Sequence, residues 1–284
     1  MGHIIGDFNR KGGIGKTHSC INIAATLAMM GKKVLVIDGD SQINLSFFFL
    51  GDDEYYFNGV ELNPNCLTLL DVMNGKGKIQ NAIVQKEYSV KRKFSNSFKR
   101  IDCEIDIVLG DKEMESISTE DVTLFKKALE PIKDYYDYII VDFPPAKNDC
   151  TLLYLVGCDY VIVPADCGNE DSIMGYSDVM SSVQLLKDSA IDTNVDILGL
   201  FYTKLMTYKQ DQKEALEEAK KIRHQVDIFE SGIRFDYKPT QDSKASHTPI
   251  CILSSNSKSA KDYKELVDEM IDKINFKDKL KTIN

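Results

Sequence analysis

Tryptophan is absent from the 284 residues, and histidine (four) and proline (seven) are scarce. Four scattered histidines argue against a histidine-based metal centre. The cysteines, at positions 20, 66, 103, 150, 158, 167 and 251, include no Cys-x-x-Cys pair. That spacing removes a zinc ribbon or a dithiol redox motif, and an odd, scattered set fits reduced thiols in a cytoplasm. No run approaches the roughly 18 uncharged apolar residues of a membrane span. A strand begins almost at residue 3, which argues against a signal peptide. Positive charge is in deficit: 35 Lys and Arg against 44 Asp and Glu give a net −9. Such a balance excludes a broadly basic nucleic-acid coat but leaves room for a local basic patch. Internal repeats and low-complexity linkers are also missing, so residues 1–284 are expected to form a single domain.

What is present is organised by one stretch, Asn9-Arg10-Lys11-Gly12-Gly13-Ile14-Gly15-Lys16-Thr17-His18. A short apolar run, Ile4-Ile5-Gly6-Asp7-Phe8, precedes it and reads as a buried strand; residues 16–30 read as a helix that ends at Gly31. Strand, glycine-rich loop, helix is the context of a phosphate site. Glycines let backbone N–H groups turn on an anion, and the helix N-terminus adds partial positive charge. In such a loop Lys16 reaches the terminal phosphates and the Thr17 hydroxyl binds Mg²⁺. A second lysine, Lys11, has no place in that simple scheme.

Further apolar runs end in acids. The run Val34-Leu35-Val36-Ile37-Asp38 leads into Gly39-Asp40-Ser41-Gln42-Ile43-Asn44, and Tyr138-Ile139-Ile140-Val141-Asp142 leads into Phe143-Pro144-Pro145. Continuous apolar strands suit a parallel sheet covered on both faces, and α/β sheets bind ligands at the carboxyl ends of their strands. Strands at 105–109, 160–164 and 196–202 alternate with helices at 123–133, 171–187, 210–225 and 262–274. The expected fold is α/β: a mostly parallel, doubly wound P-loop NTPase sheet flanked by helices in three αβα layers. Residues 45–65 read as an irregular connection, with Phe47-Phe48-Phe49 as core or subdomain packing. Residues 86–100 carry Lys86, Lys91, Arg92, Lys93, Lys99 and Arg100 against Glu87, so six minus one gives a net +5. This stretch reads as a basic surface insertion, a hairpin or loop, either simply solvated or touching a phosphate backbone.

The loop 11–17, the motif Asp38-x-Asp40-x-Gln42-x-Asn44 and the run 136–145 resemble, together and in this order, the ParA/MinD group of P-loop ATPases with a deviant Walker A loop. The nearest likeness is to short Soj-like partition ATPases. Weaker matches at 68–72, 106–111, 161–164 and 246–250 extend the resemblance over residues 3–275. The resemblance implies that Lys11 reaches across a homodimer to the partner's phosphates, a charge supplied in trans to the transferring phosphoryl group. It implies that Lys16 acts in cis, that Asp40 orients the attacking water with Asp38 beside it in the switch region, and that Asp142 holds Mg²⁺ through water. The nucleotide-binding set is then Lys11, Gly12, Gly13, Ile14, Gly15, Lys16, Thr17 and His18. This sequence departs from the group where Ser41 and Ile43 replace a usual Pro and Gly, where His18 replaces a Thr or Ser, and where Phe143 replaces a frequent Cys.

The function so implied is an ATP-hydrolysing, Mg²⁺-dependent dimerisation switch for plasmid or chromosome partition. ATP closes a homodimer that binds DNA non-specifically on the nucleoid, and a ParB-like centromere-binding protein stimulates hydrolysis. Arg223, Arg234 and Lys238 are the candidate DNA contacts, besides the stretch at 86–100. The alternative is a MinD-like positioner of a membrane-bound or other non-DNA cargo. The tail alternates acids and bases around Leu266, Met270, Ile271 and Ile274, which reads as a helix packed on the core, so no membrane contact is expected.

Overall fold

The computed structural model describes residues 2–51, 67–94, 97–117, 120–145, 149–167, 170–206, 212, 214, 216–217 and 227–283. Seven strands form one sheet in the order β3-β4-β2-β5-β1-β6-β7. They are β1 (His3–Asp7), β2 (Val34–Asp38), β3 (Ile83–Phe94), β4 (Ser97–Val108), β5 (Tyr138–Asp142), β6 (Tyr160–Asp166) and β7 (Asp196–Thr203). All neighbours pair in parallel except β3 and β4. The expected α/β fold is therefore the observed one. The strands β2 and β5 are buried along their whole length, as their unbroken apolar runs require of central strands covered on both faces.

Helices cover both faces. On one lie α1 (Lys16–Met29), α2 (Asn44–Leu50), α8 (Ile250–Leu253) and α9 (Lys258–Ile283). There Ile21, Leu27, Leu266 and Met270 pack on Ile5, Val36 and Ile140. The other face carries α3 (Leu69–Met73), α4 (Leu124–Leu129), α5 (Asp149–Gly157) and α6 (Glu170–Lys187). On that side Leu153, Tyr154, Val179 and Val183 pack on Ile4, Ile37 and Val141. A further helix, α7 (Tyr237–Ser246), leads into α8.

Local chemistry explains the boundaries. Gly31, at φ 81°, takes the left-handed turn that closes α1, its N–H donating to the Ala28 carbonyl at 2.9 Å. Thr68 and Asp71 form a reciprocal capping box at the start of α3. Two expectations are corrected. Residues 44–50 are the helix α2 rather than an irregular connection, because Asp38 fixes its first turn: Ser46 donates to Asp38 Oδ2 through its N–H at 2.7 Å and its hydroxyl at 2.6 Å. The strand expected at 105–109 is the end of a much longer β4. Because β4 pairs with β2 only at Asp106, Ile107 and Val108, the outer part of the β3–β4 hairpin leaves the sheet as a two-stranded ribbon. The described residues of the basic stretch, 86–94 and 97–100, lie on this ribbon. The helix expected at 210–225 falls mostly outside the described residues.

Candidate nucleotide site

The carboxyl ends of the parallel strands meet around the loop between β1 and α1. Gly13 (φ 73°) and Gly15 (φ 100°) hold backbone angles that a side chain would disfavour, and these let the loop curl over the start of α1. Asn9 fixes the loop's entry: its amide donates to the Pro164 carbonyl at 2.8 Å and its carbonyl accepts from the Lys11 N–H at 3.0 Å. Lys16 is buried, and its ammonium donates to the Lys11 carbonyl at 3.2 Å.

A cavity of about 730 Å³ opens above this loop. Gly12, Gly13, Ile14, Gly15, Lys16, Thr17 and His18 line it on the loop side, and Asp40 lines it too. Thr203, Lys204 and residues 233–236 make a second wall; Phe47, Phe48, His247 and Tyr263 make an aromatic third. The cavity thus combines anion donors with room and apolar surface for a flat ring. Lys11 is partly exposed on the loop and is not among the residues that line the cavity.

Below the loop, three carboxylates occupy one row of the sheet. Asp142 on β5 stands opposite Asp7 on β1 and opposite Asp38 on β2, and all three are fully buried. Burial, and then the charge of Asp38, push the Asp142 carboxyl well above the ordinary range; the Thr17 hydroxyl and Lys16 act the other way. No hydrogen bond of good geometry reaches either Asp142 oxygen or Asp7 Oδ1 among the described residues, so the Thr17 hydroxyl lies near Asp142 without being committed to it. Buried, unpaired carboxylate oxygens beside a threonine hydroxyl are the donor set a hydrated divalent cation takes. The residues present therefore fit the Mg²⁺ expected there.

The two switch acids differ. Asp38 is raised to about 6 by burial, against the hydrogen bonds of Ser46 and the Asp40 N–H, and it faces α2 rather than the cavity. Among the sequence candidates it is thus an anchor of α2. Asp40 reaches the cavity; burial raises its pKa, while the Gln42 N–H, at 3.0 Å, and the charge of Lys16 work to lower it. Between them and α2, Ile43 adopts φ 49°, ψ 28°, a left-handed conformation that costs a β-branched residue on the order of 1 kcal/mol. His18 is packed edge-on to Tyr263 at 6.1 Å, and burial, with the charge of Lys244, lowers its pKa to about 4.

Two of the three proposed DNA contacts fall within the described residues. Arg223 lies outside the described residues. Arg234 has an internal partner: its guanidinium and backbone N–H grip the buried Asp262, with Nε at 2.9 Å and N–H at 2.8 Å from Oδ2, and the residue lines the cavity. Lys238 is exposed and bridges to Asp242 one helical turn on, at 2.9 Å.

Residues not singled out from the sequence include Asp7, Thr203 and Lys204. Asp7 carried a visible signal, an acid inside an apolar strand. Thr203 and Lys204 sit at the carboxyl end of a parallel strand, where the rule applied to Asp38 and Asp142 also applies.

A glycine loop between a parallel strand and a helix, a lysine and threonine opening that helix, and acids on adjacent strand ends define a P-loop nucleotide site. The family model described as an AAA domain matches residues 2–197, and the chain belongs to that family. Within it the chain is a ParA/MinD-like P-loop ATPase close to Soj-like partition proteins. It is 29% identical to the chromosome-partitioning ATPase Soj of Treponema pallidum, over 95% of this chain and 98% of that protein. It is similar in fold to a plasmid partition protein of Borrelia burgdorferi bound to AMPPNP (TM-score 0.71, 20% identity, 96% of this chain and 99% of that one). It is likewise similar to cobyrinic acid a,c-diamide synthase of Mycobacterium smegmatis with bound ADP and magnesium (TM-score 0.71, 19% identity, 94% and 93% covered).

Proposed function

We propose that the chain is an ATP-hydrolysing dimerisation switch for DNA partition in the cytoplasm. The observation that carries the reading is the convergence of Lys16, Thr17 and Asp40 on one cavity, with the buried, unpaired Asp142 beneath it. Thr17 and Asp142 would hold Mg²⁺, which supplies charge neutralisation to the phosphates when bound. The loop N–H groups and Lys16 grip the phosphates, and Asp40 orients the water that attacks the terminal one. Lys11, at the loop's start and off the cavity wall, suits a charge delivered to the site of a second chain. Closure of the homodimer then depends on the terminal phosphate, which makes hydrolysis the release step. The names of the relatives, a partitioning ATPase and a plasmid partition protein, support DNA as the cargo.

DNA is held non-specifically in the ATP state, and a ParB-like protein stimulates hydrolysis. With Arg234 engaged by Asp262, the best-supported DNA contact is the β3–β4 ribbon. Its register sets Lys91 opposite Arg100 and Arg92 opposite Lys99. That register gathers four cationic residues of the sequence on one short stretch of ribbon, where a polyanion would be attracted. The alternative of a membrane cargo has the exposed Phe276 and Leu280 near the end of α9 in its favour and little else. No helix among the described residues is long and apolar enough to cross a membrane, and Leu266, Val267, Met270 and Ile274 of α9 are buried in the core.

ATPase activity with and without DNA and the candidate partner tests the reading. Lys16→Ala and Asp40→Ala should each abolish turnover, and Lys11→Ala should abolish it while leaving ATP binding to the monomer. Normal turnover by Lys11→Ala would remove the trans lysine. DNA binding should require ATP, fall steeply with salt, and be lost in a Lys91→Glu, Arg100→Glu double variant; ATP-independent binding sinks the switch.

A further inference from the structure

We propose that Thr203 and Lys204 form a clamp that aims the phosphate-binding N–H groups of Ile14 and Gly15, with Lys204 as a positioning residue for nucleotide binding. Resting on the P-loop ATPase reading, the inference adds to it a part of the site that no motif names. The Thr203 hydroxyl, itself buried, donates to the Ile14 carbonyl at 2.7 Å and lies 3.2 Å from the Ala165 carbonyl. The Lys204 ammonium donates to the Gly13 carbonyl at 2.6 Å and to Asp166 Oδ2 at 3.1 Å. Two consecutive residues at the end of β7 thus hold two consecutive carbonyls of the loop, and both are braced on the end of β6.

The geometry of a trans peptide gives this a consequence. Its carbonyl and the N–H that follows point in opposite directions. Pulling the Gly13 and Ile14 carbonyls toward β7 therefore turns the N–H groups of Ile14 and Gly15 the other way, toward the anion end of the cavity that both residues line. With glycines on both sides of Ile14, at φ 73° and φ 100°, the loop backbone is permissive, so those two peptide planes need an external hold. Lys204 takes up that hold from a left-handed backbone, φ 55°, which a lysine seldom adopts. A strained residue at the rim of a binding cavity, with its side chain committed to the loop, is the pattern of stored preorganisation. The Lys204 side chain serves the loop without entering the row of reacting groups, so its effect should fall on affinity for any nucleotide carrying a β-phosphate rather than on the hydrolytic step.

The test measures ATP and ADP binding by calorimetry, and steady-state kinetics, on the full chain with Lys204→Met, which keeps the stem and removes the ammonium. Loss of one charge-assisted hydrogen bond should weaken ATP and ADP alike by about tenfold. KM for ATP should rise by a similar factor, with an effect under about threefold on kcat. Lys204→Arg should recover most of the loss, since a guanidinium reaches both acceptors. Thr203→Val, which removes only the other rung, should weaken both nucleotides in the same way and keeps the proposal open to refutation if Lys204→Met does not fold. Nucleotide binding as tight as wild type in folded Lys204→Met or Thr203→Val overturns the clamp, as does a fall in kcat with KM unchanged. A wild-type chain that binds neither nucleotide overturns the ATPase reading, and the clamp with it.

Discussion

Asp7 and Asp142 stand directly opposite each other on paired strands, both wholly buried, and neither Asp7 Oδ1 nor the two Asp142 oxygens has a hydrogen-bond partner among the described residues. Burial first, and next the charge of Asp142 on Asp7 and of Asp38 on Asp142, raise both carboxyls well above the usual range. Groups so close in a dry interior resist ionising together, and the fold carries that conflict as a cost.

Asp142→Asn should therefore separate stability from function. With one charge removed from the row, the melting temperature of the nucleotide-free chain should rise by a few degrees, on the order of 1 kcal/mol. The strengthening of ATP binding by Mg²⁺, read by calorimetry with and without the ion, should vanish in the same variant. A lower melting temperature would mean that the three carboxylates are not in conflict.

His18 offers a pH readout. Its pKa is lowered to about 4 by burial and the charge of Lys244, against 6.5 for a free histidine. Between those two values the unfolded chain binds a proton that the folded chain refuses, so this residue makes stability rise with pH across that window. Asp38, raised to about 6 from 3.8, acts in the opposite sense as pH climbs from about 4 to about 6. His18→Gln should consequently flatten the loss of stability on acidification from pH 7 to pH 5, measured by urea denaturation. An imidazole signal for His18 titrating near 6.5 by NMR would refute the neutral assignment.

Arg234 and Lys238 were comparable as surface cations in the sequence and are not comparable in the fold. Arg234→Ala strands the buried carboxylate of Asp262 and should cost roughly 2 kcal/mol, discounted from the usual 3–5 because the guanidinium is partly exposed. Lys238→Ala, breaking an exposed pair on α7, should change stability by less than about 0.5 kcal/mol. Thermal denaturation of the two variants side by side decides this; equal losses would remove the distinction.

The sheet and the loop were legible because each rests on a local rule. Runs of four apolar or aromatic residues closed by an acid are strands of a covered parallel sheet, and β2 and β5 are buried from end to end. The loop's glycines, Lys16 and Thr17 sit in the context their chemistry needs. What was not legible depends on contacts far apart in sequence. The fate of Arg234 is decided by Asp262, and α2 starts where it does because Asp38 captures Ser46. Lys204 acquires its role from a carbonyl 191 positions away. None of these partners is announced by spacing or composition.

The three consecutive phenylalanines show the same division within one helix. Phe49 is fully buried and Phe48 nearly so, meeting edge-on at 5.6 Å, whereas Phe47 is 36% exposed, lies edge-on to His247 at 5.4 Å and lines the cavity. A seven-residue helix cannot bury three adjacent side chains on one side, so one must turn out. Phe49→Ala should empty a packed site and cost about 3–5 kcal/mol, roughly 10 °C in melting temperature. Phe47→Ala should cost under about 1 kcal/mol, yet weaken nucleotide binding by a few-fold, because its ring is part of the aromatic wall that faces the cavity. Calorimetric melting and ATP titration on the two variants distinguish the roles. If Phe47→Ala were as destabilising as Phe49→Ala and bound ATP normally, Phe47 would belong to the core and the aromatic wall would have no part in binding.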